Sequence, residues 1–160
     1  MDLWKPDTTV AAVIEREGLF LMIEESTREG VRLNQPAGHL DPGESLVQAV
    51  VREALEETAH QVEAIAGIGV YLSRYRYPPD RLDVTYLRFA FACRVLGQVE
   101  GLSLDAGIQR ALWMPPEAIR ARIAEHRSPL VMRVIDDYLA GQRLPLSVFF
   151  THPECLERDR

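Results

Sequence analysis

Cysteine is scarce in this chain of 160 residues, and the two that occur, Cys93 and Cys155, have no metal-binding or redox spacing. Lone cysteines of this kind favour a reducing compartment, so we expect a cytoplasmic protein. No apolar run approaches the roughly 20 residues that a membrane-spanning helix needs. The first residues lack the basic-then-apolar order of a signal peptide, so neither membrane insertion nor secretion is expected.

Positive charge is also in deficit, because the formal net charge is −6 at pH 7. A nucleic acid polymer would be repelled overall, which argues against nonspecific binding to it. Small phosphorylated ligands remain compatible, since a bound metal and a few arginines can meet their charge. The length predicts a single domain over residues 1–160, with a core at about 8–146.

The most informative stretch is Gly38–His60, which reads as a loop that leads into an amphipathic helix. Asp41-Pro42-Gly43 is a turn signal, and Ser45 with Gln48 has the spacing of a helix capping box. One helix face is apolar at spacings of three and four; it comprises Val47, Val50, Val51 and Ala54. The opposite face is strongly acidic.

That acidic face carries Glu53, Glu56 and Glu57, whose carboxylates are neighbours on a helix. Like charges at this spacing oppose helix formation by about 0.2–0.5 kcal/mol per pair, and anions near a helix C-terminus are disfavoured by its dipole. A hard divalent cation such as Mg²⁺ would remove the repulsion. The three glutamates alone leave open a plain solvated face with Arg52 as local partner.

The complete pattern resembles the signature of the Nudix family: Gly, five residues, Glu, seven residues, Arg-Glu, an apolar residue, any residue and Glu-Glu. The matching residues are Gly38, Glu44, Arg52, Glu53, Ala54, Glu56 and Glu57. The match fails at its end, where Ala59 and His60 replace a glycine and an apolar residue. Glycine would suit a left-handed helix end, which costs alanine about 1–2 kcal/mol. We therefore expect the helix to continue or to end differently.

The rest of the chain alternates short strands with turns and ends in two helices. The predicted strands are Thr8–Glu17, Leu19–Glu25, Val31–Pro36, Val62–Tyr77, Asp83–Leu96 and Gln109–Met114, and the predicted helices besides the central one are Glu117–Ala124 and Pro129–Leu139. The first two strands are expected to form a hairpin. This order predicts an α/β protein of the α+β type, a mixed β-sheet sandwiched between α-helices, and it fits the Nudix fold.

Three further segments narrow the resemblance to bacterial phosphatases within the Nudix family. They are Asn34–Leu40, Arg127–Val131 and Gly141–Leu146. The resemblance implies a Mg²⁺-dependent enzyme, with Mn²⁺ as a possible substitute, that acts on nucleoside tri- and diphosphates and on hydroxymethylpyrimidine pyrophosphate. It also favours stepwise release of orthophosphate. The oligomeric state, monomer or homodimer, is left open.

The resemblance also implies site residues. The metal set is Glu53, Glu56, Glu57 and the carbonyl of Gly38. One of the three glutamates could also serve as the general base, and the sequence does not select it. Glu44 is expected to orient Arg52 by a hydrogen bond, with a distal metal-ligand role as the alternative. Arg52 either holds the glutamates or contacts phosphate. In many Nudix enzymes an acidic residue of a later loop adds a metal ligand. Here that loop is Gly97–Gly107, and its only acidic residues are Glu100 and Asp105.

Substrate contacts are predicted from residue chemistry, since arginine suits phosphate and tyrosine can stack on a base. The candidates are Arg32, Arg74, Arg76, Tyr86, Arg88, Asp105 and Arg127, with Tyr75, Tyr77 and Ser128 beside them. The alternative to substrate binding is a surface ion pair for each arginine and packing in the core or at the rim for each tyrosine. His39 and His60 flank the signature, and local hydrogen bonds are their default role.

Two other function classes fit the same scaffold. A diphosphate isomerase would need a further proton donor and acceptor, and Cys93 in mid-strand supports it poorly. A catalytically silent nucleotide sensor would keep the fold without hydrolysis. The presence of every acidic position in the signature argues against the sensor.

Overall fold

The computed structural model of the protein describes residues 3–157. Seven strands form one sheet: β1 (Asp7–Arg16), β2 (Leu19–Thr27), β3 (Gly30–Asn34), β4 (Ala37–His39), β5 (His60–Tyr77), β6 (Leu82–Gln98) and β7 (Ile108–Met114). Three α-helices accompany it: α1 (Leu46–Thr58), α2 (Pro116–Ala121) and α3 (Leu130–Leu139). Single 3₁₀ turns lie at Pro78–Asp80, Ile123–Glu125, Leu146–Val148 and Pro153–Leu156.

The sheet is mixed, as the sequence predicts. Its main strand order is β3-β2-β1-β6-β5, with β4 paired to β1 and β7 paired to β2. Only the β1–β6 pair is parallel, and the other pairs are antiparallel. The predicted β1–β2 hairpin pairs only at Glu15–Phe20 and Arg16–Leu19. Beyond that point β1 joins β4 and β6, whereas β2 joins β3 and β7.

Alternate residues of β1 enter two different cores, because successive side chains of a strand point to opposite faces. Val10 and Ala12 pack with α1 residues such as Val50 on one face. Ala11 and Val13 pack with α2 and α3 on the other. The predicted sandwich of a sheet between helices is therefore confirmed. Among residues 3–157, no helix has the length and apolarity to cross a membrane.

The central helix begins as predicted and ends differently. The Ser45 side chain accepts a hydrogen bond from the Gln48 amide, and the Gln48 side chain completes the capping box. At the other end Ala59 adopts the left-handed conformation, with φ of 58°, and its N–H donates to Leu55 at 2.8 Å. The expectation that alanine would avoid this conformation was wrong. His60 then begins β5 immediately, and that strand's long pairing with β6 requires the sharp exit.

Candidate active site

Strand β4 and helix α1 face each other and define the acidic centre of the site. Gly38 on β4 lies directly against the Glu53 carboxylate, so that a β-carbon at Gly38 would overlap it. One residue earlier, the Ala37 amide donates to the Glu57 carboxylate at 2.8 Å. The loop before the helix therefore returns onto it and fixes two of the three glutamates.

Three carboxylates meet at this point, from Glu53, Glu56 and Asp105, with oxygens that lie within 4.8 Å of one another. Asp105 belongs to the β6–β7 loop, and its amide donates to the Glu56 carbonyl at 3.0 Å, which holds the loop against the helix. Mg²⁺ prefers oxygen ligands at about 2.1 Å, which places the oxygens of one ion roughly 3–4 Å apart. The donor set therefore fits a hard divalent cation after a small closure.

Burial changes the acidity of two of the glutamates. The pKa of Glu57 is raised to about 9, chiefly because its carboxylate is withdrawn from water, although the Ala37 hydrogen bond opposes the shift. The pKa of Glu53 is also raised by burial, and Arg52 opposes that shift. Without a cation the site thus favours protonated carboxyl groups. Metal ligation requires the ionised forms.

Arg52 links the carboxylates to one another. It donates to both oxygens of Glu44, at 2.9 and 2.7 Å, to Glu53 at 2.8 Å and to Glu56 at 3.0 Å. It also donates to the His39 carbonyl at 3.0 Å. These contacts raise its pKa, with the Glu44 hydrogen bonds as the largest cause. The N–H groups of the Arg52 guanidinium are therefore hydrogen-bonded to the acidic cluster and to the loop before α1.

The acidic centre opens into a cleft of about 520 Å³. Many of the sequence-predicted residues line it: Gly38, His39, Arg52, Glu53, Glu56, Glu57, Arg74, Tyr75, Tyr86, Arg88, Asp105, Arg127 and Ser128. A volume of this size accommodates a nucleotide or a smaller diphosphate. The structure thus brings acidic, basic and aromatic candidates together around one space.

The basic candidates inside the cleft differ in their partners. Arg74 is exposed and pairs with Asp83 through two hydrogen bonds, at 2.6 and 2.5 Å. Arg127 lies over the Tyr75 ring, 5.4 Å from its centroid, with its Nε 3.5 Å from Glu25. Arg88 is buried, and within residues 3–157 its guanidinium donates to the side-chain amides of Gln35 and Asn34. Arg88 is thus the most buried of these three arginines.

Six predicted residues do not line this cleft: Arg32, Arg76, Tyr77, His60, Glu100 and Glu44, the last of which accepts hydrogen bonds from Arg52 instead. Arg32 is two strand positions farther out than Asn34, roughly 6.5 Å, and it contacts the Val31 carbonyl at 3.4 Å. Arg76 lies nearer the β5–β6 turn, 3.7 Å from Asp83. Glu100 and His60 line a separate surface pocket. Their positions on the strands and loops carry them past the cleft walls.

The histidines follow their default roles in part. His60 is buried, its Nδ1 lies 2.7 Å from the Thr58 carbonyl, and its ring packs edge-on against Trp113. His39 is at the cleft rim, with its ring 6.2 Å from that of Tyr86. Of the two, His39 lines the cleft and His60 does not.

Sequence reasoning missed several residues that line the cleft, among them Thr9, Glu25 and Asn34. Thr9 and Glu25 lie in strands where they look like ordinary alternating residues, so no local signal identified them. Asn34 belongs to a segment that carries the family resemblance. Its sequence context did not show that the side chain is buried in the cleft wall. Only the sheet pairing brings these side chains to the acidic cluster.

Comparison with known proteins agrees with this geometry. A family model of the NUDIX domain matches residues 5–134. The chain belongs to the Nudix family. It is 36% identical over 146 residues to the phosphatase NudJ of Shigella boydii, with 91% of this chain and 92% of that protein covered. NudJ of Escherichia coli K12 matches with the same identity and coverage.

Solved structures are similar to this chain in fold, and those with the Nudix name include one of high sequence identity. A NUDIX hydrolase from Nitrosomonas europaea is 45% identical, covers 93% of this chain and 99% of its own, and superposes with a TM-score of 0.85. An ADP-ribose pyrophosphatase from Streptococcus suis, at 18% identity and a TM-score of 0.61, shares the fold. The protein is thus a Nudix hydrolase, a member of a family of enzymes that cleave phosphoanhydride bonds. Nudix hydrolases generally use divalent metals.

Proposed function

We propose that this Nudix hydrolase is a Mg²⁺-dependent phosphatase of nucleoside tri- and diphosphates and of hydroxymethylpyrimidine pyrophosphate, and that it releases orthophosphate stepwise. The observation that carries the proposal is the convergence of Glu53, Glu56 and Asp105 in a cleft that the buried Arg88 also lines. The phosphatase relatives support orthophosphate as the product.

The proposed metal ligands are Glu53, Glu56 and Glu57, with the Gly38 carbonyl and Asp105 beside them. When bound, a divalent cation neutralises charge on phosphate oxygens and lowers the pKa of a bound water. Arg52 keeps Glu53 and Glu56 in place through its hydrogen bonds, and Glu44 orients Arg52. The helix and β4 therefore supply a rigid set of oxygens before substrate arrives.

Proton transfer is proposed for one of the cluster carboxylates. A general base must lie within hydrogen-bond reach of the attacking water, and Glu53, Glu56 and Glu57 all line the cleft. The buried position of Glu57 makes its carboxylate basic when no cation is present. Substitution of each glutamate in turn, with a pH–rate profile for each variant, would identify the base.

Substrate contacts are proposed for five residues that line the cleft: Arg88, Arg127, Arg74, Tyr75 and Tyr86. Arginine can pair with phosphate oxygens through two parallel hydrogen bonds. The tyrosine rings offer flat surfaces for a base or pyrimidine. Arg32 and Arg76 are not included, because they lie outside the lining residues.

The decisive experiment is a product assay with a panel of nucleoside tri- and diphosphates and hydroxymethylpyrimidine pyrophosphate, with Mg²⁺, Mn²⁺ or EDTA. We expect turnover with a divalent cation, loss of turnover in EDTA and orthophosphate as the product. Pyrophosphate as the sole product from a triphosphate would reject stepwise release. Nucleotide binding without turnover of any anhydride would instead favour the sensor alternative.

The proposal places this enzyme in the cytoplasm as a monomer or homodimer, without a nucleic acid polymer as partner. Cys93 is buried and Cys155 is exposed, and both are free thiols, which is compatible with a reducing compartment. Sedimentation of the purified protein would determine the oligomeric state.

A further inference from the structure

Arg88 is a buried cation without an anionic partner. Only 7% of its surface is exposed, although it lines the cleft. Its hydrogen bonds go to the Gln35 side-chain oxygen at 3.3 Å and the Asn34 side-chain oxygen at 3.5 Å, both neutral. Within residues 3–157 no carboxylate forms an ion pair with it. An arginine has five N–H donors, so these two long bonds leave most of its capacity for a ligand.

The surrounding contacts explain why the partners are amides. Gln35 also donates to the Val131 carbonyl at 2.6 Å, and Asn34 donates to the Glu25 carboxylate at 3.2 Å. Each amide therefore needs both a donor and an acceptor. A carboxylate at either position would face the Val131 carbonyl or Glu25 with no proton to donate. This arrangement holds the Arg88 side chain in place while its charge stays unneutralised.

A second unsatisfied group lies beside Arg88. Thr9 on β1 is in register with Arg88 on β6 in the parallel pair, so both side chains point to the same face of the sheet. The Thr9 hydroxyl is buried, lines the same cleft and has no hydrogen-bond partner among residues 3–157. Buried polar groups are normally hydrogen-bonded, so the unpaired Thr9 hydroxyl is available to a bound ligand.

Burial and charge indicate what kind of partner is missing. Burial lowers the pKa of Arg88 to about 10, and the nearby charges of Glu25 and Glu57 raise it. The guanidinium is therefore still charged at neutral pH. A charged donor fork next to a free hydroxyl matches a tetrahedral anion with several acceptor oxygens.

We propose that Arg88 and Thr9 bind the phosphate group that hydrolysis leaves on the product. The acidic cluster is suited to the phosphate that is attacked, whereas Arg88 forms no bond to that cluster and therefore serves a second group. The inference rests on the proposed function, because it assigns part of the same cleft to a substrate with at least two phosphates. Arg88 thus selects substrates that keep a phosphate after cleavage.

Equilibrium binding tests this subsite without turnover. Calorimetry in EDTA and in Mg²⁺ would compare AMP, adenosine and orthophosphate as ligands of the wild-type protein and of Arg88→Met. We expect AMP to bind about 100-fold more weakly to Arg88→Met and adenosine to be unaffected. Arg94→Met removes the same charge from the exposed part of the same strand and should leave AMP binding unchanged. An equal loss for adenosine would point to a base contact and overturn the proposal.

Thr9→Val removes the hydroxyl at nearly constant volume and should weaken AMP binding about 10-fold. Because the hydroxyl has no partner in the described part of the chain, the melting temperature should not fall. Arg88→Met should likewise keep or raise the melting temperature, since it removes a buried charge without a counterion. A lower melting temperature with unchanged AMP affinity would make Arg88 structural and refute the subsite.

The orthophosphate arm separates a phosphate pocket from a nucleotide pocket. Competition of orthophosphate with AMP in the wild-type protein, lost in Arg88→Met, supports a site that recognises phosphate itself. Absence of AMP binding to the wild-type protein under both conditions overturns the inference. If the wild-type protein hydrolyses no anhydride but these affinities change as expected, the proposed function fails while the subsite stands.

Discussion

The carboxylate of Glu53 lies in the space that a β-carbon on Gly38 would occupy. This contact gives the glycine a steric reason that does not depend on backbone conformation. Gly38→Ala must push Glu53 away from Glu56 and Asp105. A displacement of about 1 Å in a catalytic group can cost about 100-fold in rate. We therefore expect kcat to fall by at least that factor, measured by orthophosphate release with Mg²⁺.

Gly97→Ala is the matched control for this prediction. A β-carbon at Gly97 would meet only the Gln61 side-chain oxygen, at an ordinary 3.6 Å. Its activity and melting temperature should resemble those of the wild-type protein. If Gly38→Ala keeps full turnover, the placement of Glu53 by β4 does not control catalysis.

Glu57→Gln separates the proposed metal role of this residue from its structural role. The Ala37 amide can donate to a glutamine oxygen as it does to Glu57, so the fold should persist. Loss of a carboxylate from the cluster should lower kcat by several orders of magnitude, while the metal-free protein is as stable or slightly more stable. Reduced stability with full activity would contradict the metal assignment.

The same variant tests the raised pKa of Glu57. Its pKa is about 9 in the fold against a usual 4.5, so the folded state binds the proton more tightly than the unfolded state. Stability from this group is complete below about pH 4.5 and is lost as the pH rises towards 9. One pKa unit equals 1.36 kcal/mol, which gives an upper bound of about 6 kcal/mol. Urea unfolding in EDTA should show the decline in wild-type protein and a flatter profile in Glu57→Gln.

Glu44 accepts two hydrogen bonds from the Arg52 guanidinium, at 2.9 and 2.7 Å, and one from the Asp41 amide at 2.7 Å. Glu44→Gln keeps the shape but weakens the hold on Arg52. Changes to groups that orient ligands typically cost about 10–100-fold, and we expect kcat to fall in that range. A Mg²⁺ titration should show that the metal still binds. Complete loss of metal binding would make Glu44 a ligand itself.

Local sequence signals located the acidic cluster well, because its residues lie within one helix and the loop before it. Periodicity placed Glu53, Glu56 and Glu57 on one helix face, and the capping pair at Ser45 and Gln48 located the helix start. The fold class followed from the order of strands and helices. These features depend on neighbours in the chain, which a sequence displays directly.

The rest of the site depends on contacts between distant segments. Thr9 meets Arg88 only because β1 pairs in parallel with β6, and no local pattern specifies that register. Asp105 reaches Glu56 through a backbone hydrogen bond from a loop. Arg32 and Arg76 had the right chemistry, but the strands carry them beyond the cleft. Residue type therefore predicted which side chains could bind phosphate or metal, and the pairing of strands decided which of them line the cleft.

Ala59 shows tertiary structure overriding a local preference, and it permits a test of stability. It ends α1 in the left-handed conformation so that His60 can begin the long β5 strand. That conformation costs a non-glycine residue about 1–2 kcal/mol, and the greater flexibility of glycine in the unfolded chain offsets about 0.5–1 kcal/mol of the gain. Ala59→Gly should therefore stabilise the protein by roughly 0.5–1 kcal/mol, measured by urea unfolding. The reverse change at Gly141, which has φ of 82° and open space around its α-carbon, should destabilise it as Gly141→Ala. A less stable Ala59→Gly would mean that the buried methyl group of Ala59 contributes more than the strain removes.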